Sequence, residues 1–179
     1  MTHKLVLLFL SALLCAGCAK PSGGEGGMLT QEIKGLKMYE FRSGKTEWQV
    51  TAKKATLSDR TEMAELTSPT VEIRKNDKLA ARIKAHNGTV DMAGRVVTLT
   101  NSVEGMSEEE KVAIVTEKLI YDIPGDRIWT NEPIKLTRNG VTVRGRGFTA
   151  KPDLSEIEIR KQETSLPENI NPAELTGHE

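Results

Sequence analysis

Histidine, cysteine and serine most often carry catalysis or hold a metal, and this chain has few of them in useful positions. Its three histidines, His3, His86 and His178, lie far apart. A Ser–His–Asp triad needs a histidine held between an acid and a nucleophile, and no such set can be completed here. No group of His and Cys has the spacing of a zinc site. The sequence therefore predicts a protein that is not an enzyme and that has neither metal nor cofactor.

Two further segments have residue types that occur in binding loops. Gly145-Arg146-Gly147 lacks the third glycine and the following helix of a dinucleotide-binding loop. Small residues in a strand more often mark a place where another backbone or a ligand approaches closely. Glu108-Glu109-Glu110 is more typical of a solvated loop than of a cation site. Neither segment predicts catalysis.

Cys18 is predicted to be covalently modified. Lys4 and the apolar run Leu5–Leu14 are typical of a secretory signal peptide, and the run is shorter than the about 20 residues that a membrane-spanning helix needs. The following Ala16-Gly17-Cys18 resembles the lipobox of bacterial lipoproteins, in which a peptidase cuts before a cysteine that carries diacylglycerol. Cys15 stands where that motif usually has leucine. An ordinary secretory signal with idle cysteines is the alternative.

Cleavage before this cysteine divides the chain into four predicted parts. Residues 1–17 are a lipoprotein signal peptide, and the glycine-rich residues 18–32 are a lipidated flexible tether. Residues 33–162 form a folded β domain, and residues 163–179 form a disordered polar tail. The mature chain has one cysteine and can form no disulfide within itself, so its stability must come from the packing of the domain.

Composition limits the kinds of partner and of core. The chain has 25 basic and 25 acidic residues, 37% hydrophobic residues and 4% aromatic residues. Balanced charge and the lack of a basic run argue against a nucleic-acid-binding protein. Because aromatic residues are few, the core must be mostly aliphatic.

Alternation of apolar and polar residues predicts short strands along the whole domain. Within residues 70–75, Val71 and Ile73 alternate with polar neighbours, which is the period of a strand with one buried face. The strongest turn signal is Asn139-Gly140, a pair typical of a type I′ hairpin. No helix is predicted after the signal peptide. So many short strands indicate a sandwich, a jelly roll or an open barrel.

A weak internal repeat accompanies the strands. A small or polar residue is followed three positions later by a second residue and two positions after that by an apolar one. The four copies begin at Ala52, Ala85, Thr116 and Gly147, at steps of 33, 31 and 31 residues. The last three end in aspartate, at Asp91, Asp122 and Asp153. Such a period is typical of stacked antiparallel β units, although strands with regular turns show some self-similarity by chance.

The order of several motifs resembles that of LptC-type proteins. From the N-terminus they are Phe41-x-x-Gly44-x-x-x-Trp48-x-Val50-x-Ala52-x-x-Ala55, Leu66-x-x-Pro69-x-Val71, Ala85-x-x-Gly88-x-Val90-Asp91, Val97-x-Leu99-x-x-x-Val103, Thr116-x-x-Leu119, Thr130-x-x-Pro133-Ile134 and Gly145-x-Gly147-Phe148-x-Ala150. Each motif is weak alone. Their common order, over about residues 36–160, carries the resemblance.

This resemblance implies both a fold and a function. LptC-type proteins are periplasmic components of the lipopolysaccharide export machine. Their fold is all-β, an antiparallel twisted β-jelly roll or open two-sheet sandwich with an apolar groove for acyl chains. They receive lipopolysaccharide from the inner-membrane ABC transporter and pass it to a periplasmic bridge protein of the same fold. The expected partners are therefore lipopolysaccharide, the transporter, the bridge protein and a membrane, with no nucleic acid.

The membrane anchor departs from the family pattern. Many members keep a transmembrane helix, whereas Cys18 predicts a lipid anchor in this chain. The family role implies the periplasmic side of the inner membrane. Ala19 after the cysteine favours the outer membrane under the enterobacterial sorting rule, so both locations stay open.

Two sets of residues are expected to carry this function. The groove would be lined by aliphatic residues, namely Val71, Ile73, Ile83, Val97, Leu99, Ile114, Ile134, Leu136 and Val143. Acyl chains leaving water there would gain about 25 cal/mol per Å² of apolar area. The final strand, predicted over residues 154–160, has no later strand to pair with. Its residues Leu154, Ile157 and Ile159 are therefore expected at an edge where the partner docks.

Two other functions stay open at this point. One is a structural β-sandwich lipoprotein with a filled core and no ligand. The other is the periplasmic bridge protein itself, which is usually soluble, so the lipobox argues against it.

Overall fold

The computed structural model describes residues 30–42, 44–58 and 60–163 of the chain. Eleven strands occupy this part. In chain order they are β1 (Thr30–Arg42), β2 (Lys45–Ser58), β3 (Met63–Thr67), β4 (Thr70–Lys75), β5 (Lys78–Lys84), β6 (Asn87–Asp91), β7 (Val96–Ser107), β8 (Val112–Asp122), β9 (Arg127–Arg138), β10 (Val141–Ala150) and β11 (Ile157–Glu163). The predictions for the signal peptide, for Cys18 and for most of the tether and tail fall outside the described residues.

The strands form one antiparallel sheet that folds over on itself. Its order is β11-β10-β9-β8-β7-β5-β4-β2-β3-β6, with β1 added to β2 and a further pairing of β6 with β7. Two long strands make this closure possible. One edge of β2 pairs with β4 over residues 48–51 and with β3 over residues 54–58. One edge of β7 pairs with β6 over residues 96–100 and with β5 over residues 104–106.

The long strands therefore contribute their two halves to two facing layers. The first layer contains β4, β5 and the halves of β2 and β7 beside them, and the second layer contains β3, β6 and the other halves. Strands β8, β9 and β10 follow β7 and continue both layers, with residues 112–116 and 134–138 in the first layer and residues 120–122 and 127–129 in the second. The architecture is an open, two-layer antiparallel β-jelly roll. The predicted all-β fold class is confirmed.

The long strands bend where they pass between the layers. The bulge in β7 contains Asn101 and Ser102, whose φ angles are 65° and 54°. The bulge in β10 lies at Gly147, whose φ is 82°. Glycine adopts positive φ without steric cost, and asparagine adopts it more readily than most residues do. Each bent strand therefore continues through its bulge and contributes to both layers.

Two aspartates of the predicted repeat close turns between strands. These turns lie at the strand ends that are far from the bends. The Asp91 carboxylate accepts a hydrogen bond from the Gly94 amide at 2.8 Å, and the Asp122 carboxylate accepts one from the Gly125 amide at 3.0 Å. A Cβ atom at either glycine would lie 2.5–2.6 Å from the aspartate. These contacts give the repeat a physical basis.

Two hairpin turns have positive φ angles at both central residues. Asn139 and Gly140 have φ angles of 50° and 83°, as the type I′ prediction requires. Asn76 and Asp77 have φ angles of 51° and 63° in the turn between β4 and β5. The twist of such turns matches that of the strands they join, so both turns help to fix the strand register.

Mostly aliphatic side chains, with the aromatic rings of Trp48, Tyr121 and Phe148, fill the space between the layers. The largest fully buried side chains include Phe148, Ile83, Leu99 and Ile114. Removing this apolar surface from water is the main favourable contribution to folding. Within residues 30–163, apart from the two undescribed positions, no helix has the length and apolar character needed to cross a membrane.

The ends of the β domain extend beyond the predicted boundaries. β1 begins at Thr30, so residues 30–32 belong to a strand and not to the tether. β11 continues to Glu163, the first residue of the predicted tail. Backbone pairing explains both differences, because Thr30 pairs with Ser58 of β2 and Glu163 pairs with Arg144 of β10.

Candidate functional site

Most residues predicted to line a groove lie together between the two layers. Val71, Ile83 and Val97 are fully buried, and the most exposed of this group, Ile73, shows 7% of its surface. The group belongs to a single core cluster and consists of Val71, Ile73, Ile83, Val97, Leu99, Ile114, Ile134 and Leu136. These side chains fill the interior, so a lipid chain would have to separate them.

Val143 differs from the other predicted groove residues. It pairs in register with Leu136 of β9 but is half-buried and lies outside the core cluster. The described pairing of β10 with β11 begins one residue later, at Arg144. Val143 therefore lies at the margin of the apolar interior.

The open side of the roll contains a cavity of about 390 Å³ between the rims of the layers. Trp48 and Ile73 from the first layer and Tyr121 from the second supply apolar surface. Lys75 and Asp153 are among the charged residues of its rim. Half of the twelve lining residues are charged, so the cavity is a polar opening beside the apolar interior and not an apolar pocket. The arrangement suits an amphiphile whose chain enters and whose polar head stays at the rim.

One carboxylate connects the two rims beside this cavity. Glu40 of β1 accepts a hydrogen bond from Nε1 of Trp48 at 2.9 Å and forms an ion pair with Arg95, in the turn between β6 and β7. Burial raises the pKa of Tyr121, and the negative charges of Asp126 and Glu40 raise it further. The Tyr121 phenol is therefore neutral at physiological pH, which suits an apolar wall.

A second ion pair also connects the rims. Nζ of Lys75, at the end of β4, donates to the Asp153 carboxylate at 2.8 Å in the loop between β10 and β11. Burial raises the pKa of Asp153, but hydrogen bonds from Lys75 and Ser155 outweigh this effect and hold the pKa below its ordinary value. The carboxylate is therefore charged at neutral pH and holds the loop against the first layer.

Of the three residues predicted at the partner edge, Ile157 and Ile159 lie in β11 and Leu154 lies outside it. Among the described strands β11 pairs only with β10, and Ile157 and Ile159 are half-buried against the core cluster. Leu154 lies before the strand, in a turn. The Leu154 amide donates a hydrogen bond to the Lys151 carbonyl at 2.9 Å, and the Leu154 side chain is fully buried. The prediction that the final strand begins at residue 154 is wrong, because this turn occupies those positions.

The described residues show where the other candidates for chemistry lie. In residues 30–163, without positions 43 and 59, no three His, Cys, Asp or Glu side chains are grouped so as to hold a metal. His86 is exposed between β5 and β6, and its Nδ1 lies 3.1 Å from the Asn101 carbonyl oxygen. What this part of the chain offers chemically is apolar space with charges at its entrance.

The charged residues at this entrance were not identified from the sequence. Glu40 and Arg95 are separated by 55 positions, and Lys75 and Asp153 by 78 positions, so no local pattern links the partners. Trp48 carries a usable signal, because it shares the two-residue period of inward-facing Val50 and Ala52 and so lies on the same face. The charged residues at the entrance can be identified only once the pairing of distant strands is known.

The family described as "LptC: Lipopolysaccharide-assembly, LptC-related" matches residues 31–165, which include every strand apart from the first residue of β1. No curated protein matches the chain.

A similar solved structure is the crystal structure of LptH from Pseudomonas aeruginosa. Its title describes LptH as the LptA homologous periplasmic component of the conserved lipopolysaccharide transport device. The sequences are 17% identical, and the alignment covers 64% of this chain and 82% of LptH with a TM-score of 0.48.

Proposed function

This chain belongs to the LptC-related family of lipopolysaccharide-assembly proteins, and we propose on that basis that it binds lipopolysaccharide acyl chains between its two layers. The family places it in the periplasm as a component of lipopolysaccharide transport. In the proposed role it receives lipopolysaccharide from the inner-membrane ABC transporter. It then passes the lipid to a periplasmic bridge protein of the same fold.

The extent of the apolar interior is the observation that carries this proposal. Met38 of β1 and Ile157 of β11 are both half-buried and pack against the same core cluster. The apolar interior thus reaches from one end of the roll to the other. A chain bound along it would stay out of water, and each methylene moved from water would contribute about 0.8 kcal/mol. An interior without specific polar anchors suits reversible transfer.

One edge of β11 has no partner among the described strands, and this edge supports a direction for the transfer. A strand paired on one side leaves backbone donors and acceptors for a partner strand, which is the mode of recognition called β-augmentation. In the proposed complex the bridge protein adds its strand to β11. Ile157 and Ile159 would then continue the apolar interior into the partner.

Anchoring through Cys18 completes the proposed role. A diacylglycerol on this cysteine would hold the domain at the periplasmic side of the inner membrane, close to the transporter. Sorting to the outer membrane, favoured by Ala19, is the alternative location.

One observation favours a second candidate, a structural lipoprotein without ligand. The groove residues are nearly inaccessible, since Val71, Ile83 and Val97 are fully buried. A filled interior is also what a structural β-sandwich would have. The two candidates differ in whether the layers separate to admit a lipid.

Site-specific photocrosslinking in cells tests the proposal. A benzophenone amino acid at Met38 or at Ile157 would face the interior, whereas the same group at the neighbouring Lys37 or Glu158 would face solvent. These inward positions are half-buried, so they should accept the larger group more readily than core positions do. Illumination should give adducts with lipopolysaccharide at the two inward positions and not at the two controls.

The same experiment can refute the proposal. Absence of lipopolysaccharide adducts at both inward positions, in variants whose melting temperature matches that of the parent, would favour the structural lipoprotein. Equal adduct yields at inward and outward positions would mean that the lipid contacts the surface and not the interior.

A further inference from the structure

The loop between β10 and β11 has a well-defined conformation of its own. Within it, the Leu154 amide donates to the Lys151 carbonyl at 2.9 Å, and the Lys151 amide donates to the Glu156 carbonyl at 3.1 Å. The Asp153 carboxylate accepts from the amide and the hydroxyl of Ser155 at 3.1 and 2.5 Å. These bonds allow residues 151–156 to move as one unit.

Two side chains from the first layer hold this loop across the open side of the roll. Lys75 of β4 donates to the Asp153 carboxylate at 2.8 Å, and Arg138 of β9 donates to the Ser155 carbonyl at 3.5 Å. The Lys75 side chain is 62% exposed and that of Asp153 is 17% exposed, so water and salt reach the pair from the lysine side. Contacts of this kind break and re-form easily.

Leu154 places an apolar side chain from this loop into the interior. Its side chain is fully buried and belongs to the same core cluster as the predicted groove residues. Its backbone has a φ of 63°, a region that a leucine adopts only when its surroundings impose it. The cavity of about 390 Å³ lies directly beside it, lined by Lys151, Pro152 and Asp153.

We propose that the loop over residues 151–156 is a lid on the acyl-chain site, with Leu154 as its plug and the Lys75–Asp153 ion pair as its latch. This inference rests on the proposed function and adds to it how the filled interior opens. An acyl chain would enter at the cavity and take the place of the Leu154 side chain. Because an acyl chain carries many more methylene groups than leucine has carbons, the exchange buries more apolar surface than it exposes.

Entry of an acyl chain can be followed through Trp48, which lines the cavity. The chain has two tryptophans, so a Trp129→Phe background leaves Trp48 as the reporter. Dibromostearic acid, added below its aggregation concentration, quenches tryptophan fluorescence on contact. The rate of quenching by this probe then measures lid opening and chain entry.

A matched pair of lysine variants isolates the latch. Lys75→Gln removes the ion pair across the open side, whereas Lys45→Gln removes one within the first layer, with Asp77, at similar exposure of the lysine. Lys75→Gln should raise the quenching rate about two- to fivefold, the range expected from loss of one exposed ion pair. Lys45→Gln and the charge-conserving Lys75→Arg should quench at the parent rate.

Hydrogen exchange provides a second readout that needs no variant. The Leu154 and Ser155 amides are hydrogen-bonded within the closed loop, so bound dibromostearic acid should speed their exchange if the plug leaves the core. Slower or unchanged exchange in the bound protein would refute the lid.

The remaining outcomes separate this inference from the proposed function. Equal quenching rates in the parent, Lys75→Gln and Lys45→Gln would refute the latch while leaving acyl binding intact. If the probe did not quench Trp48 at all, the entry point would be refuted, and the lipopolysaccharide adducts at Met38 and Ile157 would decide separately whether the protein binds lipid.

Discussion

The ammonium group of Lys75 lies 2.8 Å from the carboxylate of Asp153, although the two residues are separated by 78 positions in the sequence. The hydrogen bond to Asp153 and its charge raise the pKa of Lys75. The pKa of Asp153 is lowered, because hydrogen bonds from Lys75 and Ser155 outweigh the effect of burial. The contact that closes the open side of the roll is therefore coupled to pH.

Acidification should abolish the contribution of this pair to stability. Because the pKa of Asp153 is lower in the folded state, its charge stabilises the fold above its ordinary pKa of 3.8, and this contribution is lost as the pH falls through the folded value. The difference in free energy of unfolding between the parent and Asp153→Asn should therefore be present at pH 7. It should disappear at an acidic pH well below 3.8, where the carboxyl group of the parent is protonated too.

Urea denaturation at both pH values checks this expectation. Asp77→Asn is the matched control, because Asp77 pairs with Lys45 at 3.3 Å with both side chains more than half exposed. The control should differ little from the parent at either pH. A gap between the parent and Asp153→Asn that persists or widens in acid would contradict the assigned pKa shift.

The hairpin between β9 and β10 should depend on the backbone freedom of Gly140. Its φ is 83°, and a Cβ atom added there would meet nothing within 4 Å, so strain and not collision limits the substitution. Gly140→Val should lower the free energy of unfolding by roughly 1–3 kcal/mol. Gly140→Asn should cost clearly less, because asparagine tolerates positive φ. Equal midpoints of urea denaturation for the two variants would argue against a strain effect.

The fold could be predicted because local patterns determine it. Inward-facing residues such as Val71 and Ile83 recur at the period of a strand, and both are fully buried. Turn residues such as Asn139-Gly140 mark the hairpin ends. A bulge in the pairing of β4 with β5 interrupts the alternation, so Leu79 is 37% exposed while Ala80 is buried. Bulges depend on the partner strand, and the sequence of one strand does not reveal them.

The site could be predicted only in part, because its entrance is made by long-range contacts. The aliphatic interior follows the alternation of the strands, and the expected groove residues Ile114 and Leu136 are buried in it. Leu154 alternates with residues of a strand in sequence but sits in a turn with positive φ. The Asp153 and Ser155 side chains form that turn together with the distant Lys75. Information about such a contact is absent from any short window of sequence.

The lipid anchor can be tested by a pair of cysteine variants. Cys18 is placed for lipidation in the lipobox-like motif, so Cys18→Ser should release the domain from membranes into the soluble fraction. Cys15→Ser is the control and should leave the protein membrane-bound, because cleavage before Cys18 removes residue 15. Membrane fractionation and the intact mass of the protein are the measurements. A Cys18→Ser protein that still carried an acyl-shifted mass would show that lipidation occurs elsewhere.

Docking of the bridge protein is expected at β11. Its described pairing is with β10 alone, where Glu158 lies opposite Thr149. Proline has no amide hydrogen and its ring is disfavoured beside a ladder, so Glu158→Pro should abolish binding of the partner. The matched control is Glu32→Pro in β1, whose described pairing is with β2 alone and places Thr56 opposite Glu32. The control should bind the partner normally, and both variants should keep a cooperative melting transition.

Hydrogen exchange on the complex then decides the direction of transfer. If the partner adds a strand to β11, new amide protection should appear within residues 157–163 and none within residues 30–42, because only backbone groups at the docked edge gain partners. Protection confined to β1, together with loss of binding in Glu32→Pro and not in Glu158→Pro, would reverse the proposed direction. Since the apolar interior reaches both Met38 and Ile157, its continuity is compatible with either direction. The edge that gains protection is therefore the one through which the lipid passes between this protein and its partner. The Lys75→Gln variant should accelerate transfer through that edge in either case.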